Sequence, residues 1–375
     1  MASFMNAAGA QAALLRLMEQ LRARGHETET WYFYQEQSTF AGRAGVYTFF
    51  AKPRLSVWEY AQLPLRVIAK LRAARPDAVV TFLPLACIVG QSAAALVGVP
   101  RRIASQRTPS WAHSFLMRVA DRLCGEWLYT ANVCVSRSVE ESFAAYPSGY
   151  RRRLAVVENG IDWRASSLTR EEARRKFGLS EKDVAFVAVG RLKAQKNYGL
   201  MLDAFAGVIG GILLIAGDGP QMESLVARVK ALGVESQVRF LGALSPGEVA
   251  DLLGAADVFV QTSAFEGMSN ATLEAMSEGL AIVTSDIRMQ REVLETREGE
   301  LCGWLLPLSR PEEWTQAFAR LISSADLRAT LGSAAKSHVG RRFGLDRMID
   351  GFERILLTPT AGKGSQRLDT QLPST

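Results

Sequence analysis

The sequence predicts an α/β protein built from two doubly wound parallel sheets. Three observations carry that expectation. The chain has 375 residues, more than one ordinary core accommodates. Short apolar runs of strand composition alternate with amphipathic helical runs along most of it, the pattern of parallel strands connected by helices. The first run of alternation stops at the strong turn pair Asn159-Gly160, and the second half of the chain repeats it.

In the first half, residues 12–24 set Leu14, Leu17, Met18 and Leu21 at helical spacing. Gly25-His26 ends that helix, so His26 reads as a structural loop residue, and residues 28–33 have strand composition. A helix over 57–74 precedes a strand over 78–82. Residues 78–100 carry no charge for 23 positions, long enough to cross a bilayer. Pro84, Gly90, Gln91 and Ser92 argue for a division into a buried strand and a small-residue helix ending before Gly98. A strand over 102–105, a helix over 115–129, the strand Val133-Cys134-Val135, a helix over 139–145 and a strand over 154–157 complete this half.

In the second half, strands are expected at 183–189, 212–216, 238–241, 258–261 and 281–284. Helices are expected at 198–208, 221–232 and 246–254, after Asn270, and at 311–323, 326–340 and 343–357. The tail, 358–375, is small and polar and is expected to be disordered.

Apolar content of 48% and charged content of 22% fit a globular protein. Residues 1–165 hold 20 Lys and Arg against 12 Asp and Glu, a net of +8, whereas the remainder is net −2. A basic half suits anionic lipid or an acidic glycan as well as it suits solubility, and no nucleic-acid-reading motif accompanies it. Cys87, Cys124, Cys134 and Cys302 form no C-x-x-C pair, and no secretory leader opens the sequence, so a cytoplasmic setting is expected.

The chemistry concentrates in the stretch from Phe265 to Met276. Glu266 and Glu274 stand eight residues apart, with Gly267, Met268, Ser269 and Asn270 between them. The apolar run Val258-Phe259-Val260 before them puts Glu266 on a loop at a strand's carboxyl end. Ser269 or Asn270 can cap the following helix, with Glu274 one turn inside. A helix start offers free N–H groups and a positive dipole end to a phosphate. Two carboxylates beside a phosphate seat suit a ligand with a diphosphate and many hydroxyls, as a nucleotide sugar has. An ordinary acidic loop and a surface Glu remain the alternative.

In context this stretch resembles the Glu-x7-Glu motif of retaining glycosyltransferases of the GT-B fold, the group 1 or family 4 type. Other stretches that resemble it are GAQAALLRLMEQLRARGHE, RPDAVVTFLP, GVPRRIASQRT, VCVSRSVEESF, VVENGID, the Gly190-Arg191-Leu192 and Lys196 of VGRLKAQKN, and Gly217-Asp218-Gly219-Pro220. The resemblance implies two Rossmann-like domains facing across a cleft: an acceptor-side domain over 1–160 and a nucleotide-sugar domain over 161–340. A helix over 341–357 would return to the first. It implies that Glu266 faces the donor sugar and Glu274 the ribose. Arg191 and Lys196 would hold the diphosphate, and the N–H groups of residues 267–270 would meet sugar and phosphate. Gly217 and Gly219 would shape the nucleotide pocket. Two fixed cations facing the leaving diphosphate remove the need for an acid. Arg can bind two oxygens at once and Lys acts as a point charge.

The activity implied is metal-independent, retaining transfer of a sugar from a UDP or GDP donor, with no further cofactor. The acceptor would be a glycan or lipid-linked glycan of cell-surface polysaccharide, lipopolysaccharide or glycolipid synthesis, with possible peripheral contact with an anionic membrane and no nucleic-acid partner. A nucleotide-sugar epimerase and a binding protein without turnover are the alternatives.

Three departures from the family pattern stand out. Met268-Ser269 replaces a common Phe-Pro, Arg288-Met289 replaces a Gly-Gly pair, and Gln106-Arg107 stands where relatives carry a His. His113, from its loop, and Arg107, as a binder of acceptor phosphate, are the candidates on that side. Only residues 1–5 precede the loop beginning at Asn6, where the family has a full strand. In a doubly wound sheet that strand is central, and omitting it leaves N–H and C=O groups unpaired at ~1–3 kcal/mol each. The expectation is therefore a first strand missing by truncation, with a very short strand over 2–5 as the alternative.

Overall fold

The computed structural model describes residues 1–5, 9–36 and 40–358. Two compact units form: Met1–Gly160 with the segment from Leu345, and Ile161–Gly344.

The first unit is built on a parallel sheet of β1 (Ala2–Met5), β2 (Thr30–Gln35), β3 (Val46–Phe50), β4 (Ala78–Phe82), β5 (Arg101–Gln106), β6 (Ala131–Cys134) and β7 (Leu154–Val156). Their order is β3-β2-β1-β4-β5-β6-β7. Alternate side chains of a strand face opposite ways, and here that divides two cores. Tyr32 packs with Leu14, Leu17, Ile349 and Phe352, while Trp31 and Phe33 pack with Leu63, Val67 and Ala94 on the other face.

Of the two expectations for the first strand, the structure shows a short strand over residues 2–5. Residues 2–5 form β1 at the centre of the sheet, with Ala2 and Phe4 opposite Tyr32 and Tyr34 of β2, and Ala2 also opposite Phe82 of β4. Neighbours on both sides take the backbone groups of these four residues, and Ala2 and Met5 are fully buried. The uncharged run from Ala78 divides into β4 and the helix Pro84–Val97. No helix among the described residues is long and apolar enough to cross a membrane. The helix expected at 343–357 spans Leu345–Leu357 and lies in the first unit, where Phe352 stacks on Phe82 with centroids 6.1 Å apart. The tail from residue 359 and Asn6, Ala7 and Ala8, where the sequence reading begins its first loop, lie outside the described residues.

The second unit repeats the architecture with β8 (Ala185–Val189), β9 (Ile212–Ala216), β10 (Val238–Gly242), β11 (Val258–Gln261), β12 (Ala281–Ser285) and β13 (Trp304–Leu306). Its order is β10-β9-β8-β11-β12-β13, and every pair is parallel. The order reverses between β8 and β11. At such a switch point the loops leaving two adjacent strands turn to opposite sides and open a crevice at their carboxyl ends. Phe186, Leu213, Ile215 and Val260 pack on one face with Phe205, Trp314 and Phe318.

Sequence periodicity does not reveal β3 or the helices Arg170–Lys176 and Arg288–Leu294. The last two have only seven residues, too few to show an apolar stripe. The first of them did carry a readable signal, a capping box in which Thr169 and Glu172 bond each other's backbone.

Candidate functional site

The loops that leave β8 and β11 are joined backbone to backbone. Ala264 N donates to Gln195 O at 2.8 Å. Gln195 Nε2 donates to Phe265 O at 2.8 Å, and Thr262 Oγ1 donates to the carbonyls of Lys196 and Asn197 at 3.0 and 2.9 Å. This seam brings two predicted residues together. Lys196, on a single 3-10 turn (Ala194–Lys196), places Nζ 2.7 Å from Oε1 of Glu266.

Glu266 is buried, and the same Oε1 also accepts from Ser263 Oγ at 2.7 Å and Gln261 Nε2 at 2.9 Å. Charge-assisted bonds of this kind are the strong class. Gln261 closes β11 and acts as a bracket. Its amide nitrogen reaches Ser263 and Glu266, and its Oε1 accepts from Ser269 Oγ at 2.7 Å and Thr272 Oγ1 at 3.0 Å. Ser269 caps the helix Asn270–Glu278 by accepting from Thr272 N. One side chain therefore ties the acidic loop to the helix start. From the end of β12, Ser285 Oγ holds Ser263 O at 2.6 Å.

Beneath the pair lies Tyr198, whose hydroxyl donates to Gly190 O at 3.0 Å. Burial, and then the charge of Glu266, push its pKa up. Gly267 and Met268 are buried in the loop, Asn270 opens the helix and Glu274 is half-buried on its second turn. Arg191 stands exposed just past β8. Arg288 and Met289 open the helix Arg288–Leu294, Arg288 outward and Met289 into the core.

Gly217 and Gly219 have a packing reason. Gly217 has φ +144°, and a Cβ there would lie 1.9 Å from Gly190 O. At Gly219 it would lie 2.5 Å from Leu192 O. Their absent side chains let the loop after β9 lie directly on the loop after β8. Leu192 N donates to Asp218 O and Gln221 N to Leu192 O, at 3.0 and 3.1 Å. The two glycines thus set the backbone that carries Arg191.

In the first unit, Arg107 follows β5. It donates to Asn159 Oδ1 and lies over the Phe82 ring, 4.8 Å from its centroid, while its buried Nη1 has no hydrogen-bond partner among the described residues. Burial, and then the like charge of Arg16, lower its pKa to about 9, so it remains a cation at neutral pH. Asn159, read from the sequence as a boundary marker, is buried and holds that guanidinium. His113 is half-buried, with Nε2 3.0 Å from Thr108 Oγ1, and burial lowers its pKa.

Gln261, Ser263, Ser285, Gln195 and Tyr198 were not singled out in the sequence. A faint signal existed: Gln261-Thr262-Ser263 is a polar run directly after the apolar Val258-Phe259-Val260. Buried polar residues need partners, and here the partner is the predicted acid.

Two family models match the chain: "Glycosyltransferase Family 4" over residues 7–164 and "Glycosyl transferases group 1" over residues 169–338. The lipopolysaccharide core biosynthesis glycosyltransferase LpsE of Rhizobium meliloti is 23% identical over 298 residues, covering 78% of this chain and 79% of the relative. An Escherichia coli UDP-Gal:alpha-D-GlcNAc-diphosphoundecaprenol alpha-1,3-galactosyltransferase is 25% identical over 310 residues, 78% of each chain. Other curated relatives are matched over a third to three fifths of their length. Among solved structures, HepE of Anabaena in complex with UDP and glucose has the same fold, with a TM-score of 0.79, 20% identity and coverage of 95% and 98%.

Proposed function

This chain belongs to the group 1 glycosyltransferases of the GT-B fold, and we propose that it is a retaining, metal-independent enzyme. It takes a sugar from a nucleoside diphosphate and transfers it to a hydroxyl of a glycan or lipid-linked glycan in cell-surface polysaccharide, lipopolysaccharide or glycolipid synthesis. The observation that carries the reading is the Lys196–Glu266 pair at the β8/β11 switch point, bracketed by Gln261 to a capped helix start. Support for the donor comes from HepE, whose structure holds UDP and glucose, and from the galactosyltransferase, whose name specifies UDP-Gal and a diphosphoundecaprenol acceptor.

In this reading the acceptor oxygen attacks the anomeric carbon on the face from which the diphosphate departs. The bond from that carbon to the phosphate oxygen breaks, and the leaving phosphate takes the acceptor proton. Charge grows on the diphosphate as it leaves. An ammonium has three N–H donors, so Lys196 can hold Glu266 and a phosphate oxygen together, with Arg191 taking further oxygens. Fixed cations cost no reorganisation at that moment. Glu266, held in place by three donors, faces the sugar, Glu274 takes the ribose hydroxyls, and the N–H groups of residues 267–270 meet sugar and phosphate. Arg107 takes an anionic group of the acceptor.

The test is thermal unfolding with UDP and with GDP, followed by donor consumption. A nucleotide at 100 times its dissociation constant adds ~2.7 kcal/mol, several degrees for units of this size. One nucleotide is expected to raise the melting temperature, and Arg191→Ala to abolish the rise. No rise with either overturns the donor assignment. A rise without transfer or hydrolysis makes the protein a binder and not an enzyme.

A further inference from the structure

We propose that Arg288 selects the donor sugar by charge and that this sugar carries a carboxylate, as a hexuronic acid does; this rests on the donor-site reading above and names the sugar class. Strand order points there first. Across the middle of the second unit the order runs β8, β11, β12. Arg191 and Lys196 follow β8, Glu266 follows β11, and Arg288 follows β12. Neighbouring strands stand ~4.8 Å apart. With the diphosphate on the β8 cations and the sugar at Glu266, the loop after β12 stands on the side of the sugar remote from the phosphate. The diphosphate is joined at the anomeric carbon. The loop therefore meets the opposite edge of the ring, where a hexuronic acid carries its carboxyl group.

That loop is fixed against the acidic one. β11 and β12 run in parallel register, with Gln261 opposite Thr284. Ser285 Oγ donates to Ser263 O at 2.6 Å, and Ser263 Oγ donates to Glu266 Oε1 at 2.7 Å. A single serine thus separates the end of β12 from the Glu266 carboxylate. On the other side Asp286 N donates to Leu306 O of β13 at 2.7 Å. Ile287 N donates back to Ser285 O at 2.8 Å, which turns the chain tightly, and Arg288 comes only three residues on from Ser285. Met289 is 2% exposed and anchors the helix Arg288–Leu294 in the core. Consecutive helical residues point about 100° apart, and Arg288 is exposed. Where the family has a Gly-Gly pair without side chains, this chain has a guanidinium.

The chemistry of the fork selects the ligand. A guanidinium has five N–H donors in one plane and no acceptor. A carboxylate takes two of those donors at once in parallel charge-assisted bonds, which a hydroxyl oxygen does not. The acids beside it are engaged. Both oxygens of Asp286 accept from Arg291 Nη2, at 2.8 and 2.9 Å, and Glu266 accepts from Lys196. A sugar carboxylate brought next to Glu266 meets a like charge, and that repulsion calls for a cation of its own. Arg288 supplies it from the strand on the far side of the sugar.

Equilibrium titration of the full chain with UDP-glucuronate, UDP-glucose and UDP tests it, with GDP-mannuronate, GDP-mannose and GDP in their place where GDP is the nucleotide that binds. The uronate donor is expected to bind roughly tenfold or more tighter than the neutral one. The preference should shrink in high salt, because Arg288 is exposed. Arg288→Gln is expected to erase the preference while affinity for the bare nucleotide stays within about twofold. Arg288→Lys keeps the charge without the fork and should keep part of the preference. An unchanged ligand-free melting temperature in both variants separates lost recognition from lost folding. Binding of the bare nucleotide with no preference for the uronate, or a preference that survives Arg288→Gln, overturns the proposal and leaves the donor site standing. Weaker binding of the bare nucleotide by Arg288→Gln assigns the guanidinium to the diphosphate and overturns it as well. No binding of either nucleotide overturns the donor reading, and this proposal with it.

Discussion

Replacing Glu266 by Gln keeps the side chain's shape and removes its charge, so it separates packing from electrostatics at the proposed donor site. Oε1 accepts three bonds, from Lys196, Ser263 and Gln261, at 2.7, 2.7 and 2.9 Å. A hydrogen bond to a charged group contributes ~1.5–3 kcal/mol and a neutral one ~0.5–1.5. Neutralising the shared acceptor therefore forgoes about 1 kcal/mol per bond, an upper figure of ~3 kcal/mol. Lys196 is 17% exposed and can turn to water, which returns part of that. The net expectation is ~1–2 kcal/mol, a fall of roughly 2–8 °C in melting temperature for a unit of this size. Turnover should fall much further, by ~10²–10³, if the carboxylate acts on charge that develops only in the transition state. Nucleotide affinity should stay within about threefold, because that interaction is absent from the ground state. Melting curves with and without nucleotide, together with donor consumption, read all three quantities. A variant that turns over at the wild-type rate refutes the catalytic role. One that loses nucleotide binding in parallel with activity refutes the division of labour between Glu266 and the cations.

Three further outcomes are expected. Gly217→Ala places a Cβ 1.9 Å from Gly190 O, backbone against backbone with φ at +144°, so it should lower the melting temperature and abolish nucleotide-induced stabilisation together; an Ala variant with normal nucleotide response would refute the packing role. Arg107→Ala should raise the acceptor KM at unchanged donor affinity, and a change in donor affinity instead would remove Arg107 from the acceptor side. On the last helix, His26 and then Arg24 hold the Glu353 carboxyl below the usual range, each at 2.7 Å. The folded pKa lies below the unfolded value of about 4.3, so the contribution is present above that value and lost as pH falls through the folded one. Protection from hydrogen exchange over Leu345–Leu357, taken relative to the intrinsic rate at each pH, should therefore fall below about pH 4; protection unchanged down to about pH 3 would argue against the clasp.

The alternation of apolar runs determined the α/β class, because burial on both faces of a parallel sheet demands continuous apolar strands. Val258-Phe259-Val260 and Ile212 to Ala216 needed no tertiary knowledge. Local chemistry likewise narrowed the helix cap to Ser269 or Asn270, since a cap bonds its own chain a few residues on, and the structure decided for Ser269. Glu266 and Lys196 were singled out separately, but their bond was not legible. They stand 70 residues apart, and only the pairing of β8 with β11 sets their loops side by side. Gln261 was passed over although its four partners are near in sequence, because only the folding back of the loop and helix over the strand end brings them to its amide. The first strand shows the opposite limit. Four residues are too few to announce a strand by pattern, and β1 exists because β2 and β4 supply partners on both sides. The helix Phe115–Trp127 makes the point most sharply. A helix over 115–129 was expected, but helical spacing alone does not say which side faces the core. Tyr129, Tyr150 and Gln106, brought to Asp121 by the sheet, decided that the polar side turns inward.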